Sequence, residues 1–201
     1  MSIDPESLAR IIGARVRQER KSRDWTLDGL AAAAGVSRRM VVSVEQGAVN
    51  PSVGTLLRLS DALGVGLPAL VEPPADDSPK VTRHGSGAVL WSGDAGGRGV
   101  LVAGTEPPDV VELWDWGLAP GERHASEAHA PGTRELLHVQ EGAITVDVDG
   151  QAHELETGDA LAFRGDVDHA YANPHRVPAR FSLSVFEPGV GAGHRSEGAR
   201  P

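Results

Sequence analysis

Residues 27–65 read LDGLAAAAGVSRRMVVSVEQGAVNPSVGTLLRLSDALGV, and this stretch decides the fold of the N-terminal part. Thr26 is placed to cap a first short helix, because its hydroxyl can accept a hydrogen bond from a free helical amide. Gly35 then interrupts the chain, since glycine adopts left-handed backbone angles at little cost. Ser37 caps a second helix that ends at Gly47, and a third helix follows. The apolar residues recur at helical spacing, namely Leu27, Leu30, Ala31, Ala34, Val41, Val44, Leu56, Leu59, Ala62 and Leu63.

A helix, a glycine turn and a second capped helix form the layout of a helix-turn-helix. The second helix of such a motif enters the major groove of DNA, and the residues at its N-terminus read base edges. Here those residues are Arg38 and Arg39, and an arginine can bind guanine O6 and N7 in a bidentate manner. Val42 and Ser43 lie one turn further along, where a valine can contact a thymine methyl. The alternative is a helical bundle that never meets DNA, in which both arginines are solvated surface charges.

The capped turns lie in two segments, AAAGVSRRMVVSVEQG (residues 32–47) and NPSVGTLLRLSDALGV (residues 50–65). These segments resemble the DNA-binding domain of the phage-repressor-like (XRE) family of bacterial transcription regulators. The resemblance covers roughly residues 8–71 and implies an all-α bundle that binds a double-stranded DNA operator. It also implies that Thr26 and Gln46 contact phosphates, which agrees with the anion affinity of free helix N-terminal amides. Val42 departs from the polar residue that the family pattern would place there.

The charge of the chain is unevenly distributed between its two parts. The net charge is −9, yet residues 1–71 carry nine Arg or Lys against seven Asp or Glu, a net of +2. Residues 72–201 carry ten against 21, a net of −11. The N-terminal part can therefore face phosphate, whereas the C-terminal part would be repelled by it. Because a charge of +2 predicts modest affinity for each copy, we expect a homodimer on two DNA half-sites.

The composition excludes several other classes of protein. The 201 residues include no cysteine, which rules out disulfides, thiol catalysis and cysteine-based zinc sites. No stretch approaches about 18 consecutive apolar residues, and the N-terminus MSIDPESLAR lacks the apolar core of a signal peptide. We therefore expect a cytoplasmic protein that does not bind membranes and that associates with the bacterial nucleoid through DNA.

The pattern of apolar residues changes from helical spacing to short apolar runs after a polar segment. Residues 72–80, EPPADDSPK, are rich in proline and aspartate and predict an extended linker. We expect a DNA-binding domain over residues 7–71, a linker over residues 72–84 and a second domain over residues 85–187. Residues 188–201 are polar and rich in glycine, which predicts a disordered tail.

Short apolar runs separated by Gly, Pro and Asp fill residues 85–187. Asp149-Gly150 stands between two alternating segments and is a strong signal for a β-hairpin. Many short strands with regular turns predict an all-β sandwich or barrel. The predicted strands are Ala88–Trp91, Val100–Ala103, Val110–Leu118, Arg134–Gln140, Ala143–Val148, Ala152–Leu155, Ala160–Phe163, His169–Ala172 and Arg180–Phe186.

Two spacings in this part resemble the two motifs of the cupin superfamily, which are small jelly rolls (double-stranded β-helices). In the first, His129 is followed after five residues by Glu135 and then by Gly142; in the second, Gly158 precedes His169 and Asn173. Three residues depart from the family pattern: Pro131 replaces a histidine, and Arg164 and Asp166 replace a proline and a glycine. The resemblance covers about residues 85–187.

The resemblance implies a divalent metal site made by His129, Glu135 and His169. Two histidines and a carboxylate suit zinc, iron, nickel or manganese. His124, five residues before His129, is a candidate fourth ligand if the loop curls back. His138 lies three positions after Glu135, so on a strand it points to the opposite face of the sheet and is excluded from the site.

The two parts together resemble regulators that join this helix-turn-helix to a C-terminal cupin. We therefore expect a sequence-specific DNA-binding transcription regulator whose cupin domain senses a small-molecule effector and contributes to dimerisation, without enzymatic activity. One alternative is a metal-dependent cupin enzyme tethered to a DNA-binding domain. Another is a cupin that serves only as a dimerisation module.

Overall fold

A computed structural model describes residues 5–71 and 79–190, with side chains from Glu6 onward. The chain divides into two units. One contains the helices together with the segments 105–110 and 189–190, and the other contains residues 89–104 and 111–188. Residues 72–78 of the predicted linker and residues 191–201 of the predicted tail lie outside the described residues. The prediction of an all-α part followed by an all-β part is confirmed.

The described residues of the first unit include five helices. They are α1 (Pro5–Ser22), α2 (Leu27–Ala33), α3 (Arg38–Glu45), α4 (Val53–Leu63) and α5 (Gly66–Val71). Ser37 and Ser52 cap α3 and α4 through their hydroxyl oxygens. Gly64 ends α4 in the left-handed conformation with a φ of 66°, which only glycine adopts cheaply. None of the described helices is long and apolar enough to cross a membrane.

A partly buried ion pair fixes α3 against α1. The guanidinium of Arg20 donates to both carboxylate oxygens of Glu45, with Nε 2.6 Å from Oε1 and Nη2 2.9 Å from Oε2. The two helices also approach closely at Gly13, where a Cβ would lie 2.3 Å from the carbonyl oxygen of Val44. Because α1 holds α3 by both an ion pair and close backbone contact, the orientation of α3 is fixed within the unit.

Ten strands form two antiparallel sheets within residues 88–187. The six-stranded sheet has the order β1-β2-β3-β10-β5-β8, and the four-stranded sheet has the order β4-β9-β6-β7. The strands are β1 (Ala88–Ser92), β2 (Arg98–Gly104), β3 (Val110–Leu118), β4 (Arg123–Ser126), β5 (Arg134–Glu141), β6 (Ala143–Val148), β7 (Gln151–Glu156), β8 (Ala160–Arg164), β9 (His169–Ala172) and β10 (Ala179–Glu187).

The alternation of buried and exposed residues defines the inner faces of these sheets. Every second residue of β3, β5 and β10 is buried, as expected for strands with one face toward a core. Glu135 is buried and His138 is exposed, so the prediction that they occupy opposite faces is confirmed. Asp149 and Gly150 connect β6 and β7 with φ values of 52° and 77°, which is the two-residue hairpin that the sequence predicted.

Candidate DNA interface and metal centre

Helix α3, the predicted recognition helix, presents two exposed arginines at its capped end. The Ser37 hydroxyl accepts a hydrogen bond from the amide of Met40 at 3.1 Å, so the helix starts at Arg38. Arg38 and Arg39 are both exposed. Arg38 Nε lies 3.2 Å from Asp28 Oδ1, in a pair whose side chains are 60% and 75% exposed. An ion pair this exposed is weak, so the Arg38 guanidinium remains available to another partner.

The remaining residues predicted to contact DNA occupy caps and the flank of α3. The Thr26 hydroxyl caps α2 by accepting from the amide of Gly29 at 3.0 Å. Val42 and Ser43 are half-buried on α3, and Gln46 is exposed at its C-terminal end. Of the predicted set, Thr26, Arg38, Arg39 and Gln46 are exposed.

Three of the predicted metal ligands come together inside the β unit. His129 lies in the loop before β5, Glu135 on β5, and His169 on β9 of the other sheet. His129 Nε2 is 3.1 Å and His169 Nε2 is 3.2 Å from Glu135 Oε1. One ligand atom from each residue lies within 4.8 Å of the others. This group could hold a metal ion, and the resemblance to the cupin motifs had implied its three members.

Within the part of the chain that the structure describes, hydrogen bonds to Glu135 and His169 involve only the atoms of these two side chains that face away from the group. The Nδ1 of His169 lies 2.8 Å from the carbonyl oxygen of Val167, and the Tyr171 hydroxyl donates to Glu135 Oε2. Glu135 Oε1 and His169 Nε2 are buried and make no hydrogen bond among the described residues, although they lie close together. Buried polar atoms normally have partners, so these two atoms mark a position suited to a cation.

The electrostatics of Glu135 favour its ionised form. Burial opposes ionisation, but the two histidine rings at Oε1 outweigh burial and lower the pKa of Glu135 to about 2. Burial also opposes the charged form of His169, yet the neighbouring Glu135 carboxylate raises the pKa of His169. A carboxylate that is ionised in a buried position is ready to bind a cation.

A turn between β8 and β9 positions the loop that carries His129. The amide of Gly132 donates to Asp166 Oδ2 at 2.8 Å, and the amide of Ala128 donates to Asp168 Oδ1 at 3.0 Å. The amide of His129 itself donates to the carbonyl oxygen of Gly165 at 2.9 Å. Asp166, which departs from the cupin pattern, therefore holds this loop in place. The sequence offered no signal for that role.

His124 lies on β4 and faces aromatic rings. Its ring centroid is 4.8 Å from that of Trp116, 5.3 Å from that of Trp91 and 6.2 Å from that of Tyr171. Burial is the main reason that its pKa falls to about 4, so the ring is neutral at pH 7. The group of three atoms within 4.8 Å does not include His124.

A second buried carboxyl group occupies the inner face of β3, and sequence reasoning missed it. Glu112 is 1% exposed, and Trp114 Nε1 donates to its Oε2 at 2.9 Å. Its Oε1 has no hydrogen-bond partner among the described residues. Burial, followed by the nearby charge of Glu187, raises the pKa of Glu112 well above its usual range. The sequence did carry a signal for its burial: in VVELWDW (residues 110–116), Glu112 lies two and four residues before Trp114 and Trp116, so it shares their face of the strand.

Comparisons with known proteins agree with this division of the chain. Residues 16–70 match the helix-turn-helix family model and residues 114–186 match the cupin domain model. The HTH-type transcriptional regulator SutR of Escherichia coli K12 is 28% identical over 183 residues, covering 91% of this chain and 98% of that protein. The HTH-type transcriptional regulator PuuR of the same organism is 25% identical over 169 residues, covering 80% of this chain and 86% of that protein.

A solved structure shares the fold over nearly the whole chain. It is the crystal structure of an HTH_3 family transcriptional regulator from Vibrio cholerae, with a TM-score of 0.70 and 24% sequence identity. The match covers 92% of this chain and 99% of that chain. Because the sequence identity is only 24%, this similarity shows the fold alone: a helical part followed by a β part.

Proposed function

We propose that this chain, which belongs to the XRE-type helix-turn-helix transcription regulators with a C-terminal cupin domain, binds a specific operator in cytoplasmic DNA and responds to a small molecule. The observation that carries the DNA-binding part is the exposed pair Arg38 and Arg39 at the capped start of α3. The partly buried Arg20–Glu45 ion pair supports it, because a recognition helix must be held rigidly to align its side chains with base edges.

Replacing Arg39 with alanine tests this assignment. Loss of a bidentate contact to guanine should weaken operator binding by about 1–3 kcal/mol, measured by fluorescence anisotropy with the full chain and a selected operator. Binding to random-sequence DNA should change much less. Arg98→Ala, at an exposed position on β2, is the matched control and should bind as the unaltered chain does. An equal loss on both DNAs would mean that Arg39 contacts only phosphate, contrary to the proposal.

We further propose that His129, Glu135 and His169 hold one divalent cation, with zinc, iron, nickel and manganese all compatible with the ligand set. The two buried atoms without hydrogen-bond partners, Glu135 Oε1 and His169 Nε2, fit this role. The bound ion would act as a Lewis acid with open positions for an oxygen or nitrogen of the effector. His124 is proposed as a fourth ligand only if its ring leaves the aromatic stack.

Elemental analysis and native mass spectrometry test the metal proposal on protein prepared without chelator or nickel-affinity resin. We expect about one divalent ion per subunit, because a preformed buried ligand set binds tightly, and we expect His169→Ala to lose it. His138→Ala is the control, since His138 is exposed on the other face of β5. A metal content that is the same in the unaltered chain and in His169→Ala would contradict the proposed site.

The proposed effector acts by changing the DNA affinity of a homodimer. An effector can shift the equilibrium between two arrangements of the DNA-binding domains only if its affinity for the two differs. Two half-sites read by two copies would also compensate for the small positive charge of each DNA-binding part. The proposal therefore predicts an operator affinity that depends on the effector and on protein concentration.

A metal-dependent enzyme is the second candidate function. The two histidines and one carboxylate of the site favour it, together with the buried carboxyl of Glu112. Turnover of a substrate by the metal-loaded chain would support this candidate, whereas binding without turnover supports the sensor. A third role, in which the cupin only dimerises the DNA-binding domains, predicts an operator affinity unchanged by any metabolite.

A further inference from the structure

The basic residues of α1 and of the turn that follows it separate into two groups. Three of them have acidic partners. Arg15 Nη2 lies 3.0 Å from Glu19 Oε1, and Arg23 Nη1 lies 2.6 Å from Glu19 Oε2. Arg20 Nε lies 2.6 Å from Glu45 Oε1. Arg15 and Arg23 share the carboxylate of Glu19, so two carboxylates offset two of these three positive charges. The three arginines therefore contribute less than unpaired cations to a field that would attract an anionic partner.

Arg10, Arg17 and Lys21 form the second group. All three are exposed, and none pairs with an acidic residue within residues 6–71 and 79–190. Arg10 makes one side-chain hydrogen bond, from Nη2 to Ser7 Oγ at 3.2 Å. Intervals of seven and four residues place all three on one face of the helix. This face of α1 thus carries three cations that have no acidic partner.

The same face forms one wall of a groove, which we call the α1 groove. The end of α3 forms the other wall. The groove consists of two adjoining cavities of about 340 and 350 Å³, and Arg10 and Gln46 line both of them. The second cavity is lined by Arg10, Ala14, Arg17, Gln18, Lys21, Glu45 and Gln46. Gly47 allows the close approach, since a Cβ there would lie 3.1 Å from Arg10 Cα.

The acidic residues of the groove do not cancel its positive charge. Glu45 is bound to Arg20 through both carboxylate oxygens. Glu6 lines only the first cavity, near the N-terminal end of α1. The groove therefore carries three cations against one unbound carboxylate, and its polar Gln46 can donate a hydrogen bond to an anion.

The dimensions of α3 connect this groove to the proposed DNA interface. An eight-residue helix is about 12 Å long, which is about the width of the major groove. With Arg38 and Arg39 at base edges, the C-terminal end of α3 at Gln46 reaches the level of a flanking phosphate backbone. Residues 10–21 span about 16 Å along α1, the length of a few nucleotides of one strand.

We propose that the α1 groove binds the phosphodiester backbone of DNA, with Arg10, Arg17 and Lys21 contacting successive phosphates beyond the base-reading residues of α3. This inference rests on the proposed DNA-binding function and extends its footprint to a helix outside the helix-turn-helix. Phosphate contacts position a protein on DNA without reading sequence. The groove therefore supplies affinity and register, while α3 supplies specificity.

The test is the salt dependence of DNA binding by the full chain. The double variant Arg17→Ala/Lys21→Ala should lower the slope of log affinity against log salt by about 0.9 for each phosphate contact removed. Affinity should fall by the same factor on operator and random-sequence duplexes. The charge-preserving variant Arg17→Lys/Lys21→Arg should keep most of the slope. Arg23→Ala, in the turn directly after α1, is the matched control because Arg23 is paired with Glu19, and it should leave the slope nearly unchanged.

Each outcome separates this inference from the function on which it rests. If the double variant folds and its slope is unchanged, while the unaltered chain still binds its operator, the inference is overturned. The groove would then be assigned to an acidic protein surface instead of DNA. A loss confined to the operator would also overturn it, because it would indicate base reading. Failure of the unaltered chain to bind any DNA would instead overturn the proposed function.

Discussion

At the residue scale, Tyr171 determines which oxygen of Glu135 faces the histidines. The buried hydroxyl donates to Oε2, so Oε1 is the atom directed toward His129 and His169. The carbonyl oxygen of Val167 orients the His169 ring in the same way through Nδ1. Residues that orient ligands from outside a metal site tune its affinity strongly. Tyr171 is therefore a positioning residue for the proposed metal.

Replacing Tyr171 with phenylalanine tests that role while preserving the ring. The carboxylate of Glu135 should lose its fixed orientation, and metal affinity should fall about 10–100-fold. Competition with a chelating dye measures the affinity, and the visible spectrum of the cobalt-loaded chain reports ligand geometry. Glu154→Gln, at an exposed position on β7, is the control. Unchanged affinity with an unchanged cobalt spectrum would show that Tyr171 only fills space.

Sequence reasoning identified the residues of this site unevenly. The spacing of His129, Glu135 and His169 resembled a family motif, so the group could be predicted before its geometry was known. The contacts of Tyr171 and Glu112 could not be predicted, because they depend on how strands distant in sequence pack together. His124 was singled out as a ligand candidate, and that assignment stays a prediction.

At the element scale, the carboxylate of Glu122 connects two turns of the β unit. It accepts hydrogen bonds from the amides of Ala119 at 2.7 Å, Ala95 at 2.8 Å and Gly97 at 3.2 Å. Burial opposes ionisation of Glu122, but these three amides outweigh burial and lower its pKa below the usual 4.5. The turn is glycine-rich for a steric reason, since a Cβ at Gly97 would lie 2.0 Å from the carboxylate.

The lowered pKa of Glu122 predicts a pH-dependent contribution to stability. Because the folded pKa lies below the unfolded value, this stability is present above pH 4.5 and is lost as pH falls through the folded pKa. Glu122→Gln should lower the free energy of unfolding of the β unit by about 1–3 kcal/mol at pH 7. The difference from the unaltered chain should shrink below pH 4.5 in urea unfolding followed by tryptophan fluorescence. A difference that grows toward acid would refute this account.

The elements show where pattern recognition succeeds and where it fails. Nine strands were predicted, and β3, β6 and β9 have the predicted bounds. The missed strand, β4, reads RHAS and lacks alternating large apolar residues. It forms because β9 is available as a partner, with Ser126 opposite His169 and His124 opposite Tyr171. Such a strand is specified by its neighbour in space rather than by its own sequence.

At the scale of the whole molecule, charge and fold divide the chain in the same place. The helical part carries the positive balance and the β part the negative one, so only the former is suited to DNA. This organisation followed from composition and two motifs. The operator and the effector could not be predicted, because base preference and pocket chemistry depend on a few side chains in a three-dimensional arrangement.

The central claim, that the chain is a dimeric, sequence-specific DNA-binding regulator, is tested most directly by selecting bound duplexes from a random DNA library with the full chain. We predict enrichment of an inverted repeat whose half-sites are centred about 10–10.5 base pairs, or a multiple of that spacing, apart. The same selection with Arg38→Ala/Arg39→Ala should lose this motif. Retention of DNA with no enriched sequence, or an identical motif in the double variant, would contradict the account.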